Sequence, residues 1–349
     1  MTEPDDFDRP GVVRVLGFSP RKRRLLHGFL PAARLRPIAD AREVRAGDTV
    51  AVWASSPQER DLAARDDLNV WRVEDGFLRS VGLGARLARP LSWVIDRRGI
   101  HYDPTRPSDL EAMLKAGGFD TALLERAQVL RARIVAAAIS KYNVGCRQWP
   151  GLSAAARGRP VVLVVGQVES DAAVRRGAIG VASNVALLRA ARARHPDAWL
   201  VYKPHPDVVA GLRAAGRGED RAGALCDEVA IDAPITALLE VVDDVHVMTS
   251  LAGFEALLRG KRVHCHGQPF YAGWGLTTDS LPVPRRTRRA SLDELVAAAL
   301  LCYPRYVTRE GSRPCEAEQT LQDLMDWRRQ DSGEARWWQR ALTLVLRHE

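Results

Sequence analysis

The sequence predicts an α/β protein made of two halves, each folded around a parallel sheet. Short runs of β-branched residues alternate with helical patterns over most of the chain, which is typical of parallel α/β sheets. Its 349 residues suffice for about two domains. Between the halves, the segment 145–160 (GCRQWPGLSAAARGRP) is rich in Gly, Pro, Ser and Ala and has no regular period. We interpret this segment as a linker.

The individual elements follow from the spacing of apolar residues and from turn signals. Strands are predicted at 12–17, 49–54, 70–73, 161–165, 199–203, 245–248 and 262–265. Helices are predicted at 108–117, 120–140, 184–194, 250–259 and 291–302. After Pro304 the chain is expected to turn helical. We therefore expect an N-terminal domain at 1–150, a C-terminal domain at 151–310 and C-terminal helices at 311–349.

The end of the chain predicts an amphipathic helix. Trp338, Ala341, Leu342 and Val345 share one face of a helix at 335–349, and arginines lie elsewhere on it. Such a helix either lies on a membrane surface or packs its apolar stripe back on the fold, and the sequence leaves both open.

Composition and charge exclude several classes of protein. No apolar run approaches the roughly 20 residues of a bilayer span, and the five widely spaced cysteines signal neither a disulfide framework nor a zinc site. The net charge of +8 favours an anionic partner, but 46 arginines against 5 lysines indicate a GC-rich genome. Because no nucleic-acid motif is present, we expect no nucleic-acid partner. The acidic N-terminus lacks the features of a secretory signal, so we expect a cytoplasmic protein.

The stretch VHVMTSLAGFEALLRGKRVHCHG (245–267) reads as strand, tight turn, helix and strand. Thr249 or Ser250 would cap the helix and Gly253 would permit close approach, so that free backbone N–H groups face a phosphate. Glu255, one turn into the helix, would accept hydrogen bonds from a ribose. The alternative is an ordinary capped helix with a surface Glu.

Two more strands end in polar residues. The strand in WLVYKPHPDV (199–208) ends in Lys203, and His205 follows between two prolines. The side chains of Lys203 and His205 would donate to a phosphate or a leaving oxygen. The alternative is a structural or solvated loop histidine. After the strand VVLVV come Gln167, Ser170 and Asp171, and this carboxylate is a candidate nucleophile, general base or helix N-cap.

The run VWRVEDGFLRSVGLG (70–84) places Glu74 and Asp75 at a strand end, with Arg79 nearby. Because successive strand residues point to opposite faces, at most one carboxylate is expected to reach a reaction centre while the other orients the loop. Arg79 would bind a substrate carboxylate through its planar fork. In the later loop QPFYAGWGLT (268–277), Tyr271 and Trp274 either stack on a sugar or fill the core.

Seven ordered segments together resemble the β-Kdo glycosyltransferases of the KpsC type, from about residue 17 to 315. They are EDGFLRSVGLG, PLSWVIDRRGIHYDPTRPSDLE, SKYN, GQVESDA, YKPHPDV, MTSLAGFEALLRGK and PFYAGWGLT. Enzymes of this family build the Kdo linker between phosphatidylglycerol and capsular polysaccharide in Gram-negative bacteria. The sequence contains one such module, most similar to the carboxyl-terminal module that is associated with β-2,7 transfer.

The resemblance implies a GT-B-like architecture, in which two Rossmann-type domains face a central cleft, with CMP-β-Kdo as donor and no metal or other cofactor. It implies a Kdo-terminated glycolipid as acceptor, a position at the inner face of the inner membrane, and other capsule-synthesis enzymes as partners. By motif, Asp171 matches the nucleophile of a double displacement that retains β configuration, and Glu74 and Asp75 match the acidic pair of the first domain. His205 and Lys203 match the CMP-binding segment, and Thr249 and Ser250 match the phosphate-binding helix start.

Two other functions remain compatible with the sequence. One is a non-catalytic capsule-assembly subunit that binds CMP or glycolipid, which the single module and Ser170, at a position where the family pattern has an acidic residue, leave open. The other is a transferase that uses CMP-sialic acid, whose nucleotide and keto-acid sugar are similar.

Overall fold

The computed structural model describes residues 11–82, 88–144, 149–311 and 313–330. The first half of the chain alternates strands and helices as predicted. Its elements are β1 (Val12–Leu16), α1 (Pro20–Phe29), β2 (Arg34–Pro37), β3 (Thr49–Trp53), α2 (Gln58–Ala63), β4 (Asn69–Asp75), β5 (Ser92–Asp96), α3 (Asp109–Ala116) and α4 (Thr121–Ala136).

The second half repeats the alternation. Its elements are β6 (Val161–Val165), α5 (Ala172–Gly177), α6 (Asn184–Arg194), β7 (Trp199–Lys203), α7 (Pro206–Val209), β8 (Glu228–Val229), α8 (Ile235–Val241), β9 (Asp244–Val247), α9 (Leu251–Leu258), β10 (Arg262–Cys265), β11 (Thr278–Asp279) and α10 (Leu292–Val296). A π-helical stretch (Ala297–Cys302), β12 (Pro304–Val307), β13 (Pro314–Cys315) and a helix at 317–330, α11, follow. The seven predicted strands and five predicted helices are all present, with ends shifted by a few residues, and the α/β class is confirmed.

The first sheet has the order β13-β12-β5-β4-β3-β1-β2 and differs from the expected parallel sheet. The strands β2, β1, β3 and β4 are parallel. From β4 onward the pairs β4–β5, β5–β12 and β12–β13 are antiparallel. Between β4 and β5 the described residues contain no helix, so the chain reverses there without the crossover that a parallel neighbour requires.

The segment after Pro304 corrects the expectation that the chain turns helical there. Pro304–Val307 is a strand of the first sheet, paired with β5, although the predicted segment 151–310 includes it. The chain thus returns to the N-terminal sheet before α11 begins. The predicted amphipathic helix at 335–349 lies outside the described residues.

The second sheet has the order β11-β10-β9-β6-β7-β8, and all of its described pairs are parallel. The run VVLVV of β6 is wholly buried at its centre, as expected for a strand covered on both faces. The chain runs outward from β6 through β7 and β8, and then returns to the other side of β6 with β9 and β10. The sheet therefore changes winding direction between β6 and β9, and ligands of open α/β sheets bind outside the carboxyl ends of strands at such a point.

Charged and aromatic contacts join the two halves. Glu111 of α3 accepts hydrogen bonds from Arg285, at 2.5 Å, and from Arg286, at 2.9 Å. Phe77, which follows β4, stacks on Phe270, which follows β10, with ring centroids 4.8 Å apart. Because each contact crosses from one half to the other, both sheets present the carboxyl ends of their parallel strands to a common space. Among the described residues, no helix is long and apolar enough to cross a bilayer.

Candidate active site

A cleft of about 440 Å³ separates the two halves, and loops that follow strands of both sheets line it. The first half contributes Lys22, Trp53, Ser55, Glu74, Asp75, Phe77, Arg79, His101, Tyr102, Lys141 and Tyr142. The second half contributes Gln167, Val168, Asp171, Ala172, Ala173, His205, Asp207, Arg213, Thr249, Ser250, Leu251, Pro269 and Phe270. The cleft thus brings together eight of the thirteen residues that the sequence predicted for the site.

Gln167 and Thr249 meet where the second sheet changes winding direction. The side-chain Nε2 of Gln167 donates to Thr249 Oγ1 at 3.0 Å, and its Oε1 accepts from the backbone N–H of Thr249 at 2.8 Å. The backbone of Gln167 is held in turn by Asn184, which is buried at the start of α6. The loop after β9 is therefore fixed to the loop after β6, although 82 residues separate them in sequence.

Ser250 caps α9 as predicted. Its Oγ accepts from the backbone N–H of Ala252 at 3.2 Å, and its side chain is half-buried on the cleft. The backbone N–H groups of the first turn of α9 thus lie beside the cleft, where the helix dipole favours an anion.

Gly253 and Tyr271 do not line the cleft. The buried Tyr271 hydroxyl donates to the backbone carbonyl of Ser250, and a Cβ at position 253 would lie 2.7 Å from Tyr271 Cζ. Gly253 therefore makes room for an aromatic ring of the core rather than for a ligand. Trp274 is likewise buried and donates from Nε1 to the carbonyl of Phe270 at 2.8 Å. Of the two open interpretations of these aromatic residues, core packing is correct.

His205 lies half-buried on the cleft at the start of α7. Its Nδ1 accepts from the backbone N–H of Asp207 at 3.1 Å, so the neutral ring carries its proton on Nε2. Burial lowers the pKa of His205, against the opposing charges of Asp207 and Asp171. The imidazole is consequently a neutral hydrogen-bond donor at physiological pH.

Lys203 does not reach the cleft, although His205 of the same segment does. Its Nζ donates to the backbone carbonyl of Ile231, and it is not among the residues that line the cleft. Burial lowers the pKa of this amine to about 8. As the last residue of β7, Lys203 directs its side chain to the loop after β8, while His205, two residues further on, lines the cleft. The predicted contact of Lys203 with a nucleotide is therefore absent from this geometry.

Asp171 has one of the roles that the sequence left open, that of a helix N-cap. Its Oδ1 accepts from the backbone N–H of Ala172 at 2.7 Å and caps α5, while the side chain is exposed on the cleft. Among the described residues, its Oδ2 has no hydrogen-bond partner. The cap fixes the orientation of the carboxylate and leaves one oxygen free to react.

The two carboxylates of the first half, Glu74 and Asp75, both line the cleft but differ in their contacts. Asp75 accepts from Arg79 Nε at 2.6 Å and from Trp93 Nε1 at 3.1 Å, so both of its oxygens are engaged. Glu74 accepts only from the backbone N–H of Asp75, at 3.0 Å, among the described contacts. Burial and the adjacent Asp75 charge raise the pKa of Glu74 to about 7. Glu74 is therefore poised to exchange a proton near neutral pH, which is the property of a general acid or base.

Arg79 lines the cleft, but its guanidinium is occupied. Only 5% of the residue is exposed, and it binds Asp75 and the hydroxyl of Ser80, the latter at 2.8 Å. These bonds use Nε and Nη1, and the contact of Arg79 with a substrate carboxylate stays a prediction. Its role in this structure is to hold Asp75.

Lys141 and Tyr142 are functional candidates that the residue-by-residue analysis did not identify. They lie in the turn 140–143, in which Asn143 has a positive φ of 52° and donates to the carbonyls of Ser80 and Ser140. Although burial favours the neutral amine, the electrostatic effect of the neighbouring acidic groups Tyr142 and Asp75 outweighs it and raises the pKa of Lys141. A cation is thus maintained in the cleft.

Glu255 supports this turn and does not reach the cleft. It is buried, and its Oε1 accepts from the backbone N–H of Lys141 at 2.8 Å. The predicted role as ribose acceptor is wrong for this geometry, because the face of α9 that carries Glu255 packs against the first half of the chain. Glu255 instead positions Lys141.

Lys22 is a second cation that the sequence did not single out. It lies in the first turn of α1, above the Trp53 ring at 3.1 Å from the ring centroid. Lysine is rare in this chain, with 5 against 46 arginines, and two of the five line the cleft. The rarity of lysine is the sequence signal that could have identified Lys22 and Lys141 as candidate site residues.

The sequence is similar to one known protein family and to two kinds of curated protein. The model of the family described as capsule polysaccharide biosynthesis protein matches residues 49–308. The capsule polysaccharide modification protein LipA of Neisseria meningitidis is 41% identical over 323 residues, which are 90% of this chain and 46% of LipA. The lipopolysaccharide-processing protein LpsZ of Rhizobium meliloti is 43% identical over 267 residues, 76% of this chain and 60% of LpsZ. The chain thus spans about half the length of these relatives.

Two solved structures of Thermosulfurimonas dismutans KpsC share the fold. The beta Kdo 2,7 transferase is 37% identical with a TM-score of 0.74, covering 90% of this chain and 98% of that one. The beta Kdo 2,4 transferase is 34% identical with a TM-score of 0.79, covering 89% and 98%. The resemblance to the KpsC type and the GT-B-like fold are therefore confirmed, and the chain belongs to the capsule polysaccharide biosynthesis protein family.

Proposed function

We propose that this protein is a retaining β-Kdo transferase that moves Kdo from CMP-β-Kdo to a Kdo-terminated glycolipid in capsule linker synthesis. The observation that carries the proposal is that Asp171, His205 and Ser250 line one cleft, opposite Glu74. A nucleophile, a phosphate site and a base are thus available to one bound sugar. The similarity to KpsC Kdo transferases supports the choice of sugar.

The donor phosphate is proposed to bind at the start of α9. There the backbone N–H of Leu251, at the positive end of the helix dipole, and the neutral His205 Nε2–H would donate to it. Gln167 acts as a positioning residue, because it holds the Thr249 backbone and hydroxyl at this position. These donors would stabilise CMP as it leaves, in the manner of an oxyanion hole. The proposal, like the family resemblance, requires no metal ion.

The first displacement would use the free oxygen of Asp171. This oxygen attacks the anomeric carbon of Kdo as the bond to the phosphate oxygen breaks, and CMP departs with the bonding electrons. Lys141 and Lys22 maintain positive charge near the sugar carboxylate. The product of this step is a glycosyl–Asp171 adduct with inverted configuration.

The second displacement would use the acceptor. Its hydroxyl attacks the anomeric carbon, its proton passes to Glu74, and the bond to Asp171 breaks with the electrons returning to the carboxylate. Two inversions restore the β configuration. Glu74, whose pKa is about 7, is suited to accept this proton at neutral pH. A lipid-linked acceptor would place the reaction at the cytoplasmic surface of the inner membrane.

The test is a transfer assay with CMP-Kdo generated in the mixture and a short Kdo-terminated lipid, with products identified by mass spectrometry and NMR. We expect one added β-linked Kdo. Asp171→Asn, which keeps the cap, should lower turnover by about three orders of magnitude while CMP affinity is retained. The matched control is Asp120→Asn, since Asp120 caps α4 outside the cleft. His205→Ala should weaken CMP binding in calorimetry.

Four outcomes would overturn parts of this proposal. Near-normal turnover of Asp171→Asn would remove the covalent adduct, and unchanged CMP affinity of His205→Ala would remove the proposed phosphate site. Transfer from CMP-sialic acid but not from CMP-Kdo would identify a different donor. CMP binding without transfer from either donor would identify a non-catalytic subunit.

A further inference from the structure

A cluster of histidines lies in the second half of the chain, on strands β9 and β10 and at the end of α6. His246 of β9 and His264 of β10 are directly paired in the sheet, and His195 follows the last turn of α6. Each of these three offers a ring nitrogen, and the three atoms lie within 4.8 Å of one another. None of the three lines the cleft.

The second ring nitrogen of two of these histidines is already held by another side chain. His264 Nε2 lies 2.8 Å from Asp244 Oδ1, and His246 Nδ1 lies 3.0 Å from His266 Nε2. Metal-bound histidines almost always use the other ring nitrogen in this way, as a donor to a carboxylate or another acceptor, which fixes the tautomer. His264 Nδ1 and His246 Nε2 then remain as lone pairs.

One of these lone pairs has no partner. His264 is 7% exposed, and its Nδ1 is buried without a hydrogen bond among the described residues. His246 Nε2 lies 3.1 Å from His195 Nε2, so a proton shared by these two atoms satisfies both of them. This shared proton leaves His264 Nδ1 without a hydrogen bond, which is costly for a buried polar atom. A bound cation would give all three nitrogens a partner.

We propose that His195, His246 and His264 bind one divalent transition-metal ion of the zinc class, with water in a fourth position on the half-exposed side of His195. Neutral imidazole is a preferred ligand of zinc, copper and nickel. Zinc–nitrogen bonds of about 2.0–2.1 Å place tetrahedral ligand atoms about 3.4 Å apart. The rings of His246 and His264 are stacked, with centroids 4.4 Å apart, so binding requires one of these rings to turn until both lone pairs point to the ion.

The position of the site indicates a structural role. The ion would join the C-terminal end of α6 to β9 and β10, and β9 leads directly to Thr249 and Ser250. The negative end of the α6 dipole and the Asp244 carboxylate favour a cation there. Arg262 shares that carboxylate from the solvent side at 2.6 Å, which partly offsets this charge. Transfer chemistry in the cleft does not use this ion.

The experiment titrates Zn²⁺ into tag-free, chelator-treated full-length protein and follows binding by calorimetry and by the visible absorption of a Co²⁺ substitute. We expect one ion per chain, four-coordinate Co²⁺ spectra, and a melting temperature that rises with Zn²⁺. His195→Gln and His264→Gln should each abolish the tetrahedral spectrum or weaken binding at least tenfold. Asp244→Asn should weaken binding about 10–100-fold, as outer-shell substitutions do.

The matched control is His27→Gln, because His27 is an exposed histidine on α1, far from the cluster in sequence. It should bind Zn²⁺ like the unaltered protein. Saturable binding that survives both His195→Gln and His264→Gln would overturn the proposal, as would the absence of binding to the folded, unaltered protein. In the latter case the cluster is a chain of hydrogen-bonded imidazoles. His195→Gln alters a half-exposed residue, so circular dichroism can verify that this variant folds.

Discussion

The side-chain amide of Gln167 makes two hydrogen bonds to Thr249, at 2.8 and 3.0 Å, across the point where the second sheet changes winding direction. One bond fixes the backbone and the other the hydroxyl, so the start of α9 has one position relative to the loop after β6. That loop also carries Asp171. The two bonds therefore set the spacing between the proposed phosphate site and the proposed nucleophile.

Gln167→Ala should weaken donor binding without unfolding the protein. The two hydrogen bonds hold Thr249 before CMP binds, so without them binding must also order the start of α9, and CMP affinity is expected to fall about tenfold. Calorimetry with CMP measures this, and the donor KM should rise in parallel. The matched control is Gln319→Ala, since Gln319 is exposed on α11 and bonds only to Asp323 among the described contacts. Unchanged CMP affinity would show that Thr249 needs no such support.

Glu74 should give transfer a pH dependence near neutrality. A general base must be ionised, and the pKa of Glu74 is about 7 because of burial and the Asp75 charge. The rate should therefore rise with pH through about 7 and reach a plateau above it. Glu74→Gln should remove this dependence and lower turnover about 10²–10⁴-fold. A rate profile of Glu74→Gln that keeps the same inflection would assign the titration to another group.

The same pKa shift predicts an effect on stability. A carboxyl group whose pKa is raised on folding disfavours the folded state once the pH exceeds its unfolded value near 4.5. Glu74→Gln should thus leave the melting temperature unchanged at pH 4 and raise it at pH 8. At pH 8 the free energy of unfolding is expected to rise by about 1–2 kcal/mol. This is less than the full value that the pKa shift implies, because water in the cleft screens a half-buried charge. A Glu74→Gln variant that is less stable at pH 8 would contradict the raised pKa.

Lys141 and Glu255 should act on the same step. Lys141→Ala removes a cation from the cleft, and Glu255→Ala removes the acceptor that holds the Lys141 backbone at 2.8 Å. Each substitution should raise the donor KM about tenfold. The donor KM of the double variant should rise by less than the product of the two single effects, because Glu255 acts through Lys141. Steady-state kinetics measures this, with Lys115→Ala, an exposed lysine of α3, as control. Fully multiplicative effects would show that Glu255 does not position Lys141.

Much of the site was predictable because α/β proteins keep ligands at the carboxyl ends of their strands. Gln167, Asp171, His205 and Thr249 each follow a predicted strand, and the structure gathers them in the cleft. The two-sheet fold was predictable for a related reason, since buried strands such as VVLVV stand out as short β-branched runs.

The remaining errors have local physical causes. Lys203 ends its strand with the side chain directed to the loop after β8, and the sequence does not specify that direction. Glu255 lies on a helix that is buried on nearly every side, so apolar spacing does not indicate which face meets the first half. The strands β5 and β12 were not predicted because they pair with each other across more than 200 residues. No local pattern encodes such a contact.

Gly253→Ala should destabilise the fold rather than block a ligand. The added Cβ would overlap the buried ring and hydroxyl of Tyr271, on which α9 packs. Overpacking of this kind costs about 1–3 kcal/mol, more than the helix propensity gained from alanine. Thermal unfolding measures the loss, and Gly223→Ala, where the nearest atom is 3.9 Å away, should change stability little. Because the Tyr271 hydroxyl is the closest atom, Tyr271→Phe should reduce the cost of Gly253→Ala, and equal costs in both backgrounds would show that the hydroxyl does not set the limit.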